Sequence, residues 1–207
     1  MRDETIGDFL ERLADRVPAP GGGASAALQA AQGAALLAMV ARFSTGEEYA
    51  ENRATIDRII VEADELRAIA LRLGEADAEA FAAVASAYRM PKSTDAEQQE
   101  RSEAIAKALA NATWPPAKLI GVASMIVDLA SALVTIGNPN VLSDVAGAAE
   151  AARAAVATAR VNVEINLAGI ADEQTSLEMI ADADKADGII ARAEQVTATV
   201  REQIRGG

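Results

Sequence analysis

From Pro18 to Ala41 the chain carries no ionisable side chain: PAPGGGASAALQAAQGAALLAMVA. A helix apolar on every side has no face to offer water, so it must sit at the centre of a bundle or span a membrane. The residues decide between these. Alanine, glycine, serine and glutamine dominate the stretch, and they transfer poorly into lipid, so the sequence predicts a buried central helix and no membrane partner. Such a helix has to be surrounded. The rest of the chain supplies amphipathic helices to do it, with apolar residues at spacings of three and four and no strand alternation. Half of the 207 residues are hydrophobic but only 3% are aromatic. The apolar mass is therefore mainly alanine with leucine, isoleucine and valine, which favours helix and close helix approach.

Breakers divide the chain. They fall at 18–23, 44–47, 90–94, 114–116, 137–141 and 170–174, and they predict an all-α, single-domain bundle of about seven helices over residues 1–207. Asp3 is the expected N-cap of the first helix, Thr45 with Glu48 and Thr94 with Glu97 read as capping boxes, and Pro115-Pro116 is expected to end one helix and start another. The helix after the 137–141 turn is expected to reach Gly169, and the last to begin after Asp172.

Charge and missing residue types narrow the chemistry. A formal net charge of −12 leaves no basic face for nucleic acid. There is no cysteine and no histidine, which removes disulfides, Cys/His zinc sites and every histidine-based catalytic arrangement. Acid–base work falls to Asp, Glu, Lys or Tyr. The charged start MRDETIGDF lacks a leader pattern, and a cytoplasmic location is expected.

Five features carry candidate chemistry. Asp77 lies on the apolar stripe Ile69, Leu73, Phe81, Val84, Tyr88, where desolvation raises a carboxyl pKa as a general acid requires; pairing with a buried lysine, or a kink near Gly74, would explain it without function. Ser143 and Asp144 follow the Gly137–Asn140 turn, either as a helix cap or, with Asn138, as a cleft lining. Asn162 and Asn166 share one face of an apolar helix and either bridge helices or read a ligand. Gly21-Gly22-Gly23 precedes a helix start, where an anion site is physically possible, although a tight turn is the commoner meaning. Lys92 sits in a loop, solvated or ligand-directed. No metal-ligand constellation is found.

Together these segments resemble one family. Pro18-Ala19-Pro20-Gly21-Gly22-Gly23-Ala24-Ser25-Ala26 is similar to the Pro-x-Pro-Gly-Gly-Gly-Ser-x-x-Ala segment of the formiminotetrahydrofolate cyclodeaminases and methenyltetrahydrofolate cyclohydrolases. Asp77-Ala78-Glu79-Ala80-Phe81, then Met90-Pro91-Lys92-Ser93-Thr94 with Arg101, then Gly137-Asn138, Ser143-Asp144, Asn162-Val163 and Asn166-Leu167 come in the family's order. Ala24 stands where the family has serine, and Glu47 where it often has lysine. The resemblance implies an all-helical homodimer acting on a tetrahydrofolate-bound one-carbon unit, with Asp77 as the catalytic acid–base group. Lys92 would join it, and Gly21, Gly22, Gly23, Asn138, Ser143, Asp144, Asn162 and Asn166 would bind substrate. No cofactor is required, and a separate formiminotransferase enters as a possible supplier of the formimino substrate. A catalytically inactive folate binder, or a structural bundle with no polar cleft joining Asp77, Asp144 and Asn166, is the competing expectation.

Overall fold

The computed structural model describes residues 3–167, 170 and 173–206. Among them are six α-helices and no strand: α1 (Ile6–Ala14), α2 (Gly22–Arg42), α3 (Arg53–Tyr88), α4 (Asp95–Ile136), α5 (Leu142–Leu167) and α6 (Glu173–Gly206), with 3₁₀ turns at Glu47–Asn52 and Pro139–Val141. The expected Gly169 end and Asp172 start lie outside the described residues. One core joins α2 to α6. Its centre is α2, uncharged until Arg42 at its end, packed against α3 and α5, with Ala26, Ala30, Ala34 and Leu37 fully enclosed. Close approach is built in. A Cβ on Gly33 would stand 3.0 Å from the carbonyl oxygen of Ala148 on α5, tighter than ordinary contact, so glycine lets the two backbones meet. Both α2 and α4 are long and apolar enough to cross a membrane by length and composition; here they are buried largely against neighbouring helices.

Three local expectations are corrected. The first helix is capped by Thr5, not Asp3: Thr5 Oγ1 accepts from the Asp8 amide at 3.1 Å, and Asp8 accepts from the Thr5 amide in return. Thr45 does not cap with Glu48. Its hydroxyl donates to the Arg42 carbonyl instead, and the adjoining 3₁₀ turn has Gly46 at its N-cap. The third correction is the largest. Pro115-Pro116 does not divide a helix; α4 runs through it unbroken for 42 residues, which is why six helices stand where about seven were expected. A proline inside a helix removes one amide donor and crowds the carbonyl four residues back. Both prolines are buried in the bundle, where packing along the rest of a long helix outweighs a local cost of about 3 kcal/mol. The Thr94–Glu97 capping box forms as the sequence predicts.

Candidate active site

Asp77 is set on α3 about three turns before the helix ends at Tyr88, and its carboxylate meets the first turn of α2. The N-terminal amides of a helix have no partners within it. The Ala24 amide is one of these, and it donates to Asp77. The position after the triple glycine therefore contributes main chain, and alanine there loses nothing of this contact. Gly23 explains the closeness. A Cβ built on it would lie 2.1–2.4 Å from all three atoms of the Asp77 carboxyl group. No described glycine has positive φ, so Gly23 is needed for space and not for conformation.

Two opposed effects act on this carboxyl group. Burial disfavours the charge and raises the pKa; the Ala24 amide favours the charge and lowers it. Burial is the larger, and it pushes Asp77 up to about 6. No lysine pairs with it in the hydrogen bonds and ion pairs of the described residues, and α3 continues through Gly74 as one helix.

Asp77 opens on a pocket of about 120 Å³ lined by Gly21, Gly22 and Gly23 from α2's start, Phe81 from α3, Ala112 from α4, and Asn162, Ile165 and Asn166 from α5. The asparagine amides are oriented by main chain. Asn162 donates to the Thr158 carbonyl at 2.8 Å, and Asn166 donates to the carbonyls of Asn162 at 2.9 Å and Ala112 at 3.3 Å. Asn166 has both N–H groups committed and Asn162 one of its two, which leaves the side-chain oxygens turned to a ligand donor. The Ala112 carbonyl is free for Asn166 because of the proline pair: the residue four positions on is Pro116, which has no N–H to give it. Phe81 and Ile165 are both half or more exposed and form apolar walls at the mouth.

The structure thus brings together Asp77, Gly21, Gly22, Gly23, Asn162 and Asn166. It does not bring in the others within one chain. Ser143 and Asp144 open α5, and from Asp144 to Asn162 that helix rises about 27 Å. Asn138 ties the α4–α5 turn to α2's end: its amide donates to Ser44 Oγ at 2.8 Å, its Nδ2 to the Phe43 carbonyl at 2.9 Å, and its Oδ1 accepts from the Asn140 amide. Lys92 is exposed in the α3–α4 loop, and from Asp77 to Tyr88 alone α3 rises about 16 Å. The triple glycine is also no vacant anion site, since Asp77 already occupies the first turn of α2. Sequence reasoning missed the Ala24 amide and the Ala112 carbonyl. A proline four residues after Ala112 was the available signal for the second.

The chain is similar to several known proteins. Residues 5–185 match the family described as Formiminotransferase-cyclodeaminase. A methenyltetrahydrofolate cyclohydrolase of Methylorubrum extorquens is 35% identical over 204 residues, which is 98% of this chain and 97% of that one. The formimidoyltransferase-cyclodeaminase of Rattus norvegicus is 36% identical over 174 residues, 84% of this chain but 32% of that protein. Among solved structures, the formiminotetrahydrofolate cyclodeaminase of Thermotoga maritima superposes with a TM-score of 0.82 at 29% identity, covering 99% of this chain and 98% of that one.

Proposed function

The chain belongs to the formiminotransferase-cyclodeaminase family, and from that premise we propose that it acts on a one-carbon unit held by tetrahydrofolate. It either cyclises 5-formiminotetrahydrofolate to 5,10-methenyltetrahydrofolate with release of ammonia, or hydrolyses the methenyl compound. The observation that carries the reading is Asp77: a carboxyl group raised to about 6, in a pocket whose other lining residues do not ionise. Such a group exchanges protons readily near neutral pH.

In the cyclising direction N10 adds to the formimino carbon, and its proton passes to the imino nitrogen. The resulting aminal nitrogen then takes a proton from the Asp77 carboxylic acid. Its bond to carbon breaks, ammonia leaves, and the methenyl cation remains beside the Asp77 carboxylate. In the hydrolytic direction water adds to the methenyl carbon while that carboxylate takes its proton; the proton is then returned to the departing ring nitrogen as its bond to carbon breaks, the new hydroxyl loses its proton to solvent, and a formyl group remains on the other nitrogen. Holding N10 against the reacting carbon supplies much of the rate in either case. The pterin ring presents an amide and an amino group, whose N–H donors suit the side-chain oxygens of Asn162 and Asn166, and Phe81 and Ile165 offer apolar surface to its faces. Lys92, exposed beyond the far end of α3, would meet the anionic glutamate arm and not the reacting atoms. We place the reaction in the cytoplasm with no metal or redox cofactor, the formimino substrate being supplied by a separate formiminotransferase.

Assay of the pure protein with 5-formimino- and with 5,10-methenyl-tetrahydrofolate tests this. Asp77→Asn is expected to lose turnover with whichever is the substrate while remaining folded; a folded Asp77→Asn variant as active as the wild type overturns the assignment.

A further inference from the structure

Helices α4 and α6 repeat one pattern on facing surfaces. On α4, Lys118, Gly121, Ser124 and Asp128 follow at steps of three, three and four; on α6, Asp182, Lys185, Gly188 and Arg192 follow at the same steps. Such steps keep each set on one face of its helix. Between the two faces lies a groove of about 580 Å³, with Ile120 and Ile189 in its lining. It shares no lining residue with the Asp77 pocket. Its two glycines have no structural reason. Each lies inside a long helix, where glycine costs about 1 kcal/mol against alanine. No positive φ requires them, and an added Cβ at either would meet nothing within 4 Å. Their one effect is to leave the floor of the groove bare.

Charge at the groove runs against that of the whole chain. The net charge is −12, yet Lys118, Lys185 and Arg192 all line this cavity. Lys185 is paired with Asp182 at 2.5 Å, and Arg192 crosses to Asp128 and to Ser124 Oγ. Lys118 is exposed and has no carboxylate partner among the described residues. With both carboxylates counted, the groove keeps one positive charge in excess. Ion pairs this open to water are each worth about 1 kcal/mol or less, so an incoming anion can draw on their cations. Ser124 accepts from Arg192 and keeps its own O–H to give.

We propose that the α4–α6 groove is a second ligand site, for a molecule of the nucleotide class: a flat aromatic ring lying on Gly121 and Gly188, and a phosphate held by Lys118, Lys185 and the Ser124 hydroxyl. Shape selects the ring, because bare helix backbone flanked by Ile120 and Ile189 offers a flat apolar floor. Volume selects the size. The cavity of about 580 Å³ falls within the roughly 300–1,000 Å³ usual for a small-molecule site, and a free phosphate would leave most of it empty. Lysine ammonium groups act as point charges, which suits the oxygens of a phosphate. A partner helix laid here would have to bury the charged rim, which the cores of protein interfaces avoid. This inference does not depend on the folate reading of the Asp77 pocket.

Calorimetric titration of the whole protein with AMP, adenosine and inorganic phosphate at low salt tests the site. AMP is expected to bind about tenfold or more tightly than either half alone, and to weaken as salt is raised, since the rim is exposed. Gly121→Leu puts a better helix former over open space and fills the groove. Its melting temperature is expected to rise while AMP affinity falls about tenfold or more, and a loss of binding in a more stable protein is not a loss of fold. Lys118→Gln, a change on the exposed surface, is expected to weaken AMP about tenfold and to leave adenosine unchanged. No binding of AMP overturns the site. AMP held by Gly121→Leu as tightly as by wild type overturns it too, because the nucleotide then sits elsewhere. Adenosine binding as tightly as AMP, or Lys118→Gln matching wild type, overturns the phosphate grip, and phosphate binding as tightly as AMP overturns the ring floor.

Discussion

Gly23→Ala isolates the contact on which the site depends. A methyl group there lies 2.1–2.4 Å from the Asp77 carboxyl atoms, against an ordinary contact of about 3.5 Å, so the carboxylate must retreat by roughly 1 Å and lose the Ala24 amide. The effect on stability is small because two terms oppose. Alanine in place of a helical glycine contributes about 1 kcal/mol, and crowding costs about 1–3 kcal/mol. A net loss near 1 kcal/mol lowers the melting temperature of a chain this size by about 3 °C. The effect on rate is large, since a 1 Å misplacement of a reacting group costs about 10²-fold. Turnover of the formimino and methenyl folates, beside circular dichroism melts, reads both. Gly188→Ala is the control: nothing lies within 4 Å of its added Cβ, so it is expected to melt slightly higher at unchanged turnover. A Gly23→Ala protein that melts normally and turns over within threefold of wild type refutes the reasoning.

Three further outcomes come from the same geometry. Asp77 has its folded pKa raised from 3.8 to about 6, so the charged form opposes folding; the penalty is absent below about pH 4, grows between about pH 4 and 6, and levels at about 3 kcal/mol above. Urea melts are expected to show Asp77→Asn gaining about 1 kcal/mol more over wild type at pH 8 than at pH 5. The same titration separates the two reactions, because ammonia release led by the acid falls as pH rises through about 6, whereas water attack led by the carboxylate rises, and a pH–rate profile flat across that range contradicts both. Asn166→Ala leaves the Ala112 carbonyl without its partner and is expected to cost about 1–3 kcal/mol with a raised KM, measured by thermal melts and steady-state kinetics. Pro116→Ala restores the missing helix donor and is expected to stabilise α4 while loosening Asn166, read as a higher melting temperature with a higher KM.

Much of this was legible in the residues. The uncharged run from Pro18 to Ala41 specified a central helix because a charge-free helix has no other place to go, and the Asp77 position announced itself as a carboxylate on an apolar stripe. Asn162 and Asn166 were legible by spacing, since residues four apart share a face. Contacts between distant segments were not legible. Nothing in the order of residues says that the Ala24 amide meets the distant side chain of Asp77, whereas the helix length between Ser143–Asp144 and the asparagines follows from their spacing along one predicted helix. Pro115-Pro116 misled because a proline's local cost is read from sequence while the packing that outweighs it is not. Thr45 misled for a related reason: its hydroxyl is turned back to the Arg42 carbonyl at the end of α2, and the 3₁₀ turn starts one residue later than the capping box required, with Gly46 at its N-cap.

The carbonyl that Pro116 leaves open has one more consequence. A main-chain oxygen keeps its lone pairs at every pH, so Asn166 stays aimed whether the solution is mildly acid or alkaline. Around it stand glycines, amides and hydrocarbon. Within one chain, whatever a pH scan of this pocket records is therefore the gain or loss of one proton, the one on Asp77.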